Sequence, residues 1–349
     1  MRALVQYGLR PGEVELRDVP LPEVTEDSVL LRVDAVGICG SDIHQVHGTQ
    51  SWEVRVPVVL GHEFTGTIER VGPNVVGFRP GQRVVSETAA VICGRCTPCR
   101  TGHYNLCPHR QGFGYGIDGA MAEYVRVPAR CLHAIPQDSD AVAMALTEPT
   151  CVAYQAVVQS ARVRAGDSVL VLGPGQIGLL SAMLCKLQGA QPVVVLGTER
   201  DEHRLKKAEE LGVDAALRVD QADLRELASG IGDGLGFHLV VDASGASASF
   251  VTAMEAVRPL GEIVKVGWGP QPLAASLDPL VRKAVTVRGS FSHTYETWEQ
   301  VIRLIASGRL PTRQLVGFVG GLASWRTGFD LMGSGQVVKS VLLPNGEAS

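Results

Sequence analysis

The sequence predicts an α/β protein of two domains, a small antiparallel β-barrel and a doubly wound parallel sheet. The chain has 349 residues, more than one hydrophobic core usually serves. Residues 1 to about 150 form short β-rich stretches broken by Gly and Pro, and the following residues alternate strand-like and helical stretches. A glycine-rich turn, GPGQIG, joins the first strand and the first helix of that second part.

The first part contains stretches that alternate or run apolar over strand lengths, with turn residues between them. They are VLLRVDAVGIC, HEFTGTIERVG, QRVVSETAAVI and MAEYVRVPARCLHAIP. Strands of this length with long intervening loops are typical of an antiparallel barrel. We predict this domain over residues 1–150.

The second part repeats a strand followed by a helix. DSVLVLGPG precedes QIGLLSAMLCKLQGA, and PVVVLGT precedes DEHRLKKAEELG. Such βαβ units imply a parallel sheet with helices on both faces, predicted here over residues 151–289. The last segment, 290–349, contains the helical YETWEQVIRLIASGRL and the strand-like VVKSVLLP, and we expect it to return to the first domain.

Composition favours an enzyme with large apolar cores. Hydrophobic residues make up 45% and charged residues 19%, and the mean hydropathy is +0.13. The net charge of −4 and pI of about 6.2 give no electrostatic basis for binding nucleic acid or an anionic membrane. No apolar run reaches the roughly 20 residues that span a bilayer, and the N-terminus lacks the apolar region of a signal peptide. We therefore expect a cytoplasmic protein that binds neither nucleic acid nor membrane.

A compact group of cysteines predicts a structural zinc site. Cys93, Cys96, Cys99 and Cys107 lie within the string CGRCTPCRTGHYNLC. Four thiolates close a tetrahedral zinc site and leave no position for water or substrate. Disulfides or four unrelated buried thiols are the alternatives, but the spacing is that of metal-binding cysteines. The site would stiffen a loop and indicate that the thiols are kept reduced.

The GPGQIG turn predicts a dinucleotide-binding loop. It follows the apolar strand SVLVL and opens a helix, the context that gives this motif its meaning. Gly173 would make the turn, Gly175 would let the backbone approach a pyrophosphate, and Gly178 would let the helix pack on the strand. The backbone of Gln176 and Ile177, at the start of the helix, would then face the anion.

The choice between NAD and NADP stays open in the sequence, with NAD slightly favoured. The carboxylate that usually binds the ribose hydroxyls would fall near Gly197, and Glu199 lies two residues further on. Glu199 favours NAD, whereas Arg200 and Arg204 would suit a 2′-phosphate.

Two further segments, CGSDIH at residues 39–44 and GHE at residues 61–63, contain the remaining metal donors. GHEFTGTIERVGPNV fits the zinc alcohol dehydrogenase signature, and with CGSDIH, the four-cysteine segment and GPGQIG it resembles the zinc-dependent medium-chain dehydrogenase/reductase family over essentially the whole chain. The resemblance implies a GroES-like catalytic domain, a Rossmann domain, two zinc ions per subunit and a homo-oligomer, either a dimer or a tetramer.

Within that family the chain resembles the sorbitol and threonine dehydrogenase branch, in which Glu-Pro stands where many relatives have a ligand cysteine. Here this is Glu148-Pro149. The resemblance implies that Cys39, His62 and Glu63 hold the catalytic zinc, with Glu148 bound directly or through water. Cys151 is the alternative ligand to Glu148, whereas Cys131 and Cys185 are expected to be packed thiols.

The resemblance also implies roles for polar residues around this zinc. A zinc ion acts as a Lewis acid that lowers the pKa of a substrate hydroxyl, so that hydride can pass to the nicotinamide. Ser41 and His44 match the family's proton relay, although a turn hydroxyl and a surface histidine are the plain alternative. Asp42 matches a carboxylate that orients His62.

Other family positions concern the nucleotide and the substrate. Lys339 matches a position that can offer a cation to the pyrophosphate, and Val266 ends a strand that borders the nicotinamide in relatives. Candidates to line the substrate pocket are Ser41, Trp52, Phe113 and Tyr115. The remaining histidines with no such context are expected to be surface or structural residues; they are His47, His103, His109, His133 and His293.

The predicted function is oxidation of a secondary alcohol, most simply a polyol or sugar alcohol, with NAD(P). Threonine 3-dehydrogenase is the alternative enzyme, suggested by Trp52 and Phe64. A catalytically silent nucleotide-binding relative is the alternative of another class, and the presence of Cys39, His62 and Glu63 together argues against it.

Overall fold

The computed structural model describes residues 1–269 and 271–346 of the chain. Its strands are β1 (Arg2–Gln6), β2 (Val14–Asp18), β3 (Ser28–Gly37), β4 (Val58–Val59), β5 (Glu63–Val71), β6 (Arg83–Ser86), β7 (Tyr124–Pro128), β8 (Leu132–Ala134), β9 (Val169–Leu172), β10 (Val193–Gly197), β11 (Ala215–Arg218), β12 (Phe237–Asp242), β13 (Val257–Lys265), β14 (Thr286–Gly289), β15 (Val316–Gly321) and β16 (Lys339–Leu343).

The α-helices are α1 (Gly40–Val46), α2 (Thr97–Arg100), α3 (Ala141–Met144), α4 (Thr147–Tyr154), α5 (Gln176–Leu187), α6 (Glu202–Glu210), α7 (Leu224–Ser229), α8 (Ser247–Ala256), α9 (Asp278–Lys283), α10 (Tyr295–Ala306) and α11 (Trp325–Gly333). A π-helical turn, Gln155–Ser160, continues α4, and short 3₁₀ turns occur at Tyr104–Leu106, Ala129–Cys131, Glu199–Asp201, Thr312–Leu315 and Leu322–Ser324.

The chain forms two compact units. Unit 1 comprises Met1–Glu148 and His293–Ser349, and unit 2 comprises Pro149–Ser292. The boundaries predicted from the sequence lie at residues 150 and 289. The last three residues of the predicted C-terminal segment lie outside the described residues.

Unit 1 is built on a seven-stranded, mainly antiparallel sheet. Its order is β15-β16-β3-β5-β6-β8, and β7 also pairs with β3. A second sheet of three strands has the order β2-β1-β4. The long strands β3 and β5 bury most of their side chains and form the centre of the unit, with a core that includes Leu31, Val33, Phe64, Ile68 and Met121.

Unit 2 is a six-stranded parallel sheet with the order β11-β10-β9-β12-β13-β14. Its central strands β9, β10 and β12 are almost continuously apolar, as expected for parallel strands that are covered on both faces. The direction in which successive strands are added reverses at β9, since β10 lies on one side of it and β12 on the other. In sheets of this kind, ligands bind at the carboxyl ends of the strands at this reversal point. The predicted fold class, a barrel-like catalytic domain with a doubly wound nucleotide domain, is confirmed.

No helix within residues 1–269 and 271–346 is both long enough and apolar enough to cross a membrane.

Candidate metal centres and nucleotide-binding loop

The first metal donor, Cys39, is placed by the start of helix α1. Cys39 is the N-cap residue, and its backbone N–H donates to Oδ2 of Asp42 at 2.8 Å, which closes a capping box. Such a box satisfies backbone groups that the first turn leaves without a partner. The CGSDIH segment therefore fixes Cys39 and the Asp42 carboxylate relative to each other through a local contact.

His62 and Glu63 stand at the start of strand β5, facing Cys39. Donor atoms of Cys39, His62 and Glu63 all lie within 4.8 Å of one another. Oδ1 of Asp42 is buried, has no hydrogen-bond partner among the described residues, and lies 3.6 Å from Nδ1 of His62. Because Asp42 faces Nδ1 of His62, Nε2 is the nitrogen of this ring that is available to a metal.

The donor set fits zinc. Two atoms that bind the same zinc ion, each at about 2.0–2.3 Å, lie no more than about 4.6 Å apart. Sulfur, imidazole nitrogen and carboxylate oxygen are the donors that zinc binds in proteins. Among the described residues the cluster contains three such donors, fewer than the four of a closed structural site. Three protein ligands with an open position are typical of a catalytic zinc.

The protonation states of the cluster also fit a cation-binding site. Burial, followed by Glu63, raises the pKa of the Cys39 thiol. Burial alone would lower the pKa of His62, but Asp42 and Cys39 outweigh it and raise that pKa well above its ordinary value. Without a metal the site therefore holds protons on sulfur and imidazole, and a zinc ion would displace them.

Glu63 has a partner that the sequence did not indicate. The ammonium of Lys339 forms an ion pair with Oε2 of Glu63 and donates to the carbonyl of Ile38 at 2.7 Å, and neither Lys339 nor Glu63 has exposed side-chain surface. The pair occupies the space beside Gly37, where a Cβ would lie 2.5 Å from Oε2 of Glu63 and 2.8 Å from Cε of Lys339.

This placement shows what the ammonium of Lys339 contacts within unit 1. The resemblance implied a position that can offer a cation to the pyrophosphate; here the side chain is buried in unit 1 and neutralises a donor of the metal cluster. A buried carboxylate requires such a partner because an isolated buried charge is costly.

Glu148 lies beside the cluster and is not one of its three close donors. Its Oε1 lies 3.1 Å from Nε2 of His293, in a pair that is almost fully enclosed. Burial raises the pKa of Glu148, but the hydrogen bond from His293, together with His62 and Lys339, lowers it overall. Glu148 is therefore a carboxylate. His293 was expected to be a surface or structural residue, and the sequence contained no signal for this contact, since the two residues are 145 positions apart.

Cys151, the alternative ligand, is fully buried and belongs to neither group of close donor atoms among the described residues.

Ser41 and His44 occupy positions i and i+3 of helix α1 and share one side of it. Oγ of Ser41 is 3.4 Å from Nε2 of His62, and Nδ1 of His44 is 2.8 Å from Oγ1 of Thr49. Burial, followed by the charge of His47, lowers the pKa of His44. The imidazole of His44 is thus neutral and able to accept a proton at neutral pH.

The four cysteines of the second site form one cluster. Donor atoms of Cys93, Cys96, Cys99 and Cys107 lie within 4.8 Å of one another. Backbone N–H groups of Arg95 and Cys96 lower the pKa of Cys93 to about 6, while burial and the neighbouring thiols raise the pKa of Cys99 to about 12. Four sulfurs this close cannot all ionise unless a cation compensates them, so the cluster fits a closed zinc site.

A buried polar network attaches this cysteine segment to the rest of unit 1. Tyr104, in the turn before Cys107, donates to Oε1 of Glu87 at 2.9 Å, and burial and Glu87 raise the pKa of Tyr104, which keeps it a donor. The same carboxylate oxygen is 3.2 Å from Nε2 of His133, whose Nδ1 is 2.7 Å from Glu299. His133, expected to be structural, has no exposed side-chain surface and lies between two carboxylates.

The nucleotide-binding loop is formed within unit 2. Gly173 follows β9 with φ +94°, and a Cβ there would lie 2.8 Å from Cα of Ser244. A Cβ at Gly178 would collide with the Gly173 carbonyl oxygen, whereas a Cβ at Gly175, the N-cap of α5, would meet nothing within 4 Å. The loop is tight at its first and third glycines and open at the second, where the backbone N–H groups of Gln176 and Ile177 begin the helix. An anion such as pyrophosphate fits this cradle.

The residues that bear on cofactor choice follow strand β10. Gly197 is buried, and Glu199 and Arg200 are exposed in the 3₁₀ turn that follows. Arg204 is half-buried and its guanidinium pairs with Asp201 at 3.3 Å. One of the two arginines considered for a 2′-phosphate is therefore already paired with a carboxylate. Val266 directly follows β13 and is buried.

The pocket-lining candidates lie in different surroundings. Trp52 donates from Nε1 to Oε1 of Gln45 at 3.3 Å, and the hydroxyl of Tyr115 accepts a hydrogen bond from Arg110. Phe113, however, has no exposed surface and contacts Phe64 edge to face at 5.4 Å, so its side chain belongs to the core of unit 1.

Two family models match the chain. The alcohol dehydrogenase GroES-like domain matches residues 25–137, and the zinc-binding dehydrogenase model matches residues 177–307.

Similar curated proteins cover almost the whole chain. The sorbitol dehydrogenase of Halalkalibacterium halodurans is 36% identical over 99% of both chains. The L-threonine 3-dehydrogenase of Anaeromyxobacter dehalogenans is 36% identical over 98% of both. The D-arabitol-phosphate dehydrogenase of Enterococcus avium is 34% identical over 95% of this chain and 94% of its own.

Similar solved structures include proteins bound to either nicotinamide nucleotide. A zinc-binding dehydrogenase from Sinorhizobium meliloti bound to NADP superposes with a TM-score of 0.89 at 29% identity, over 98% of this chain and 99% of that one. An alcohol dehydrogenase from Escherichia coli CFT073 in complex with NADH gives a TM-score of 0.89 at 27% identity, over the same shares of the two chains.

Proposed function

This chain belongs to the zinc-dependent medium-chain dehydrogenase family, in its sorbitol and threonine dehydrogenase branch, and on that premise we propose that its substrate is a polyol or sugar alcohol. It is an NAD(P)-dependent alcohol dehydrogenase that transfers hydride between a secondary alcohol and the nicotinamide. The observation that carries the proposal is the grouping of Cys39, His62 and Glu63 next to the ionised Glu148.

The first metal site would supply Lewis acidity to the substrate hydroxyl, with Cys39, His62 and Glu63 as its ligands. Glu148 lies beside the donors that would hold this zinc, and its carboxylate would accept a hydrogen bond from a substrate hydroxyl. Asp42 orients His62 through Nδ1. Lys339 balances part of the negative charge on Glu63.

Ser41 and His44 carry the proton away from the substrate hydroxyl. Ser41 lies next to His62, and the neutral imidazole of His44 is the acceptor toward solvent.

A hydroxylated substrate suits these surroundings better than an amino acid. Ser41 offers a hydroxyl and Glu148 offers a carboxylate. The ammonium of Lys339 is bonded to Glu63 and to the Ile38 carbonyl. An amino-acid carboxylate would need a cation, and a carboxylate next to Glu148 would be repelled. L-Threonine oxidation is retained as the second candidate because of the relative named for it.

We also propose two zinc ions per subunit, the second in the four-cysteine site, and a slight preference for NAD. Glu199 is exposed at the adenosine end of the loop and would repel a 2′-phosphate, and Arg204 is paired with Asp201. We also place the enzyme in the reducing cytoplasm, where thiols such as those of the four-cysteine site stay available to bind zinc.

We infer a homodimer formed through strand β14. This strand is the outer edge of the unit 2 sheet, and all its residues are exposed. Apolar side chains near it are exposed as well, with Val281 at 81% and Val287 at 43%. An open, partly apolar edge is a template for pairing with a second copy about a two-fold axis. Light scattering should give twice the chain mass, and Val287→Pro, which removes a ladder donor, should give a monomer.

A substrate screen tests the proposed function. Zinc-loaded enzyme is assayed with sorbitol, other polyols, polyol phosphates, simple secondary alcohols and L-threonine, each with NAD and with NADP. We expect the highest kcat/KM for an unphosphorylated polyol. A higher value for L-threonine or a polyol phosphate would replace the substrate assignment. No turnover with any alcohol, from protein that retains its zinc, would favour the silent relative.

A further inference from the structure

We propose that His293 is a positioning residue that holds the Glu148 carboxylate in one orientation, and that Trp298 selects the tautomer of His293 that can do so. The proposal rests on the role given above to Glu148 and adds a residue whose side chain the sequence did not connect with it.

The three side chains form a buried series of hydrogen bonds. Nε1 of Trp298 donates to Nδ1 of His293 at 2.7 Å, and Nε2 of His293 is 3.1 Å from Oε1 of Glu148. Trp298 and His293 are each 1% exposed, and Glu148 is 8% exposed. At this depth water does not compete for these contacts, so each donor must match an acceptor.

The indole determines which nitrogen of His293 carries the proton. A tryptophan N–H can only donate, so Nδ1 of His293 must be the unprotonated acceptor. The proton of the neutral ring is therefore on Nε2, which points at Glu148. The opposite tautomer would place two N–H groups against each other at Trp298 and two acceptors against each other at Glu148.

The indole is itself held by surrounding residues. Its ring stacks on His133 with centroids 5.5 Å apart and an interplanar angle of 11°, and it meets the His293 ring edge to face at 5.0 Å. His133 cannot rotate freely because both its nitrogens bond to carboxylates, of Glu87 and Glu299. Trp298 lies on the buried face of helix α10 with Val301, Ile302 and Ile305.

A neutral donor has a specific effect on Glu148. The hydrogen bond engages Oε1 and fixes the plane of the carboxylate, while Oε2 stays outside that bond. Because the donor carries no net charge in this tautomer, it orients the carboxylate without pairing it with a full positive charge. Glu148 thus remains a strong acceptor for a substrate hydroxyl.

The tautomer can be observed without any activity measurement. Nitrogen-15 spectra of the imidazole rings in the zinc-loaded enzyme should show His293 as a neutral ring with Nε2 protonated, its signals assigned by their loss in His293→Gln. Trp298→Phe, which keeps an aromatic ring and removes the N–H, should weaken this preference. A His293 ring protonated on Nδ1 in the wild-type protein would overturn the proposal, whatever the substrate proves to be.

Kinetics then test positioning against simple packing. His293→Leu should lower kcat about ten- to a hundredfold, the loss expected for one hydrogen bond to a charged group, with the KM for the nucleotide nearly unchanged. His293→Gln keeps an N–H and an acceptor at similar spacing and should recover most of the rate. A leucine variant with normal kcat, or a glutamine variant no better than leucine, would overturn the proposal.

A double-mutant cycle locates the effect. In a Glu148→Gln background, His293→Leu should cost much less than it does in the wild type, because the residue acts through that carboxylate. An equal loss in both backgrounds would mean that His293 acts by another route and would overturn the assignment.

Discussion

Lys339 and Glu63 form an ion pair in which neither side chain has any exposed surface, although 276 positions separate them in the chain. Glu63 is also one of the three close donors of the first metal cluster. The pair joins the last strand, β16, to the start of β5, so that the C-terminal segment supplies the charge that balances a metal ligand.

Removing the ammonium should strongly destabilise unit 1. Lys339→Met removes the buried ammonium that pairs with Glu63, and breaking one side of such a pair costs about 3–5 kcal/mol. Urea unfolding of the zinc-loaded protein measures the loss. Lys206→Met is the matched control, because Lys206 pairs with Glu202 on the surface with both side chains more than 60% exposed, and such pairs contribute about 1 kcal/mol or less. Similar losses in the two variants would contradict the importance of the buried pair.

Each cysteine site should hold one zinc ion. Elemental analysis of protein purified without chelator should give two zinc ions per chain, and Cys39→Ser and Cys96→Ser should each give about one. Cys96→Ser should also lower Tm, since four-sulfur sites stabilise the segment that binds them. Cys39→Ser should keep Tm and lose turnover. Cys151→Ser, which changes a buried thiol outside both clusters, should retain two zinc ions, and loss of zinc there would restore Cys151 as a ligand.

Zinc affinity at the first site should fall with decreasing pH. Cys39 and His62 both have raised pKa values in the metal-free protein, so both hold protons at neutral pH that zinc must displace. Lower pH adds to this competition, and higher pH relieves it. Competition with a fluorescent chelator between pH 6 and about 9 should show affinity rising with pH. A flat profile would mean that the donors are already deprotonated.

The relay should have a signature in the pH profile. Since burial lowers the pKa of His44, its ring is a neutral base at neutral pH and becomes protonated only when the pH falls below that lowered value. His44→Ala should slow alcohol oxidation about tenfold or more near neutral pH and less at high pH, with partial rescue by an imidazole buffer. His103→Ala, on the exposed cysteine segment, is the control. An equal loss at every pH would indicate a structural role for His44.

The cofactor preference should depend on Glu199. We expect a higher kcat/KM with NAD than with NADP, and Glu199→Ala should move that ratio about tenfold toward NADP by removing the repulsion of a 2′-phosphate. Glu202→Ala, an exposed carboxylate in the next turn, should leave the ratio unchanged. If Glu199→Ala has no effect either, the carboxylate points away from the adenosine.

Much of the fold was readable from the sequence because its signals are local. The change from short strands to βαβ units predicted the two kinds of sheet, and this prediction is confirmed. The tight and open positions of the GPGQIG loop follow from backbone sterics within six residues. The cysteine segment is similar, since short gaps bring Cys93, Cys96 and Cys99 together with little help from the rest of the chain.

The partners of buried polar groups could not be predicted in this way. Lys339, expected to offer a cation to the pyrophosphate, is bonded to Glu63, and His293, expected to be a surface or structural residue, is bonded to Glu148. Phe113, a candidate for the pocket, lies in the core. Each of these contacts joins residues brought together only when strands and helices distant in the chain meet.

The sequence by itself determined which chemical groups the protein has and, where spacing is short, which of them act together. The tertiary structure alone decided which buried charge balances which, and which nitrogen of His293 carries a proton. The physical reason is that hydrogen bonds and ion pairs in a dry interior depend on distance and direction to within a few tenths of an ångström. Spacing along the chain cannot specify that geometry once the partners are more than one element apart.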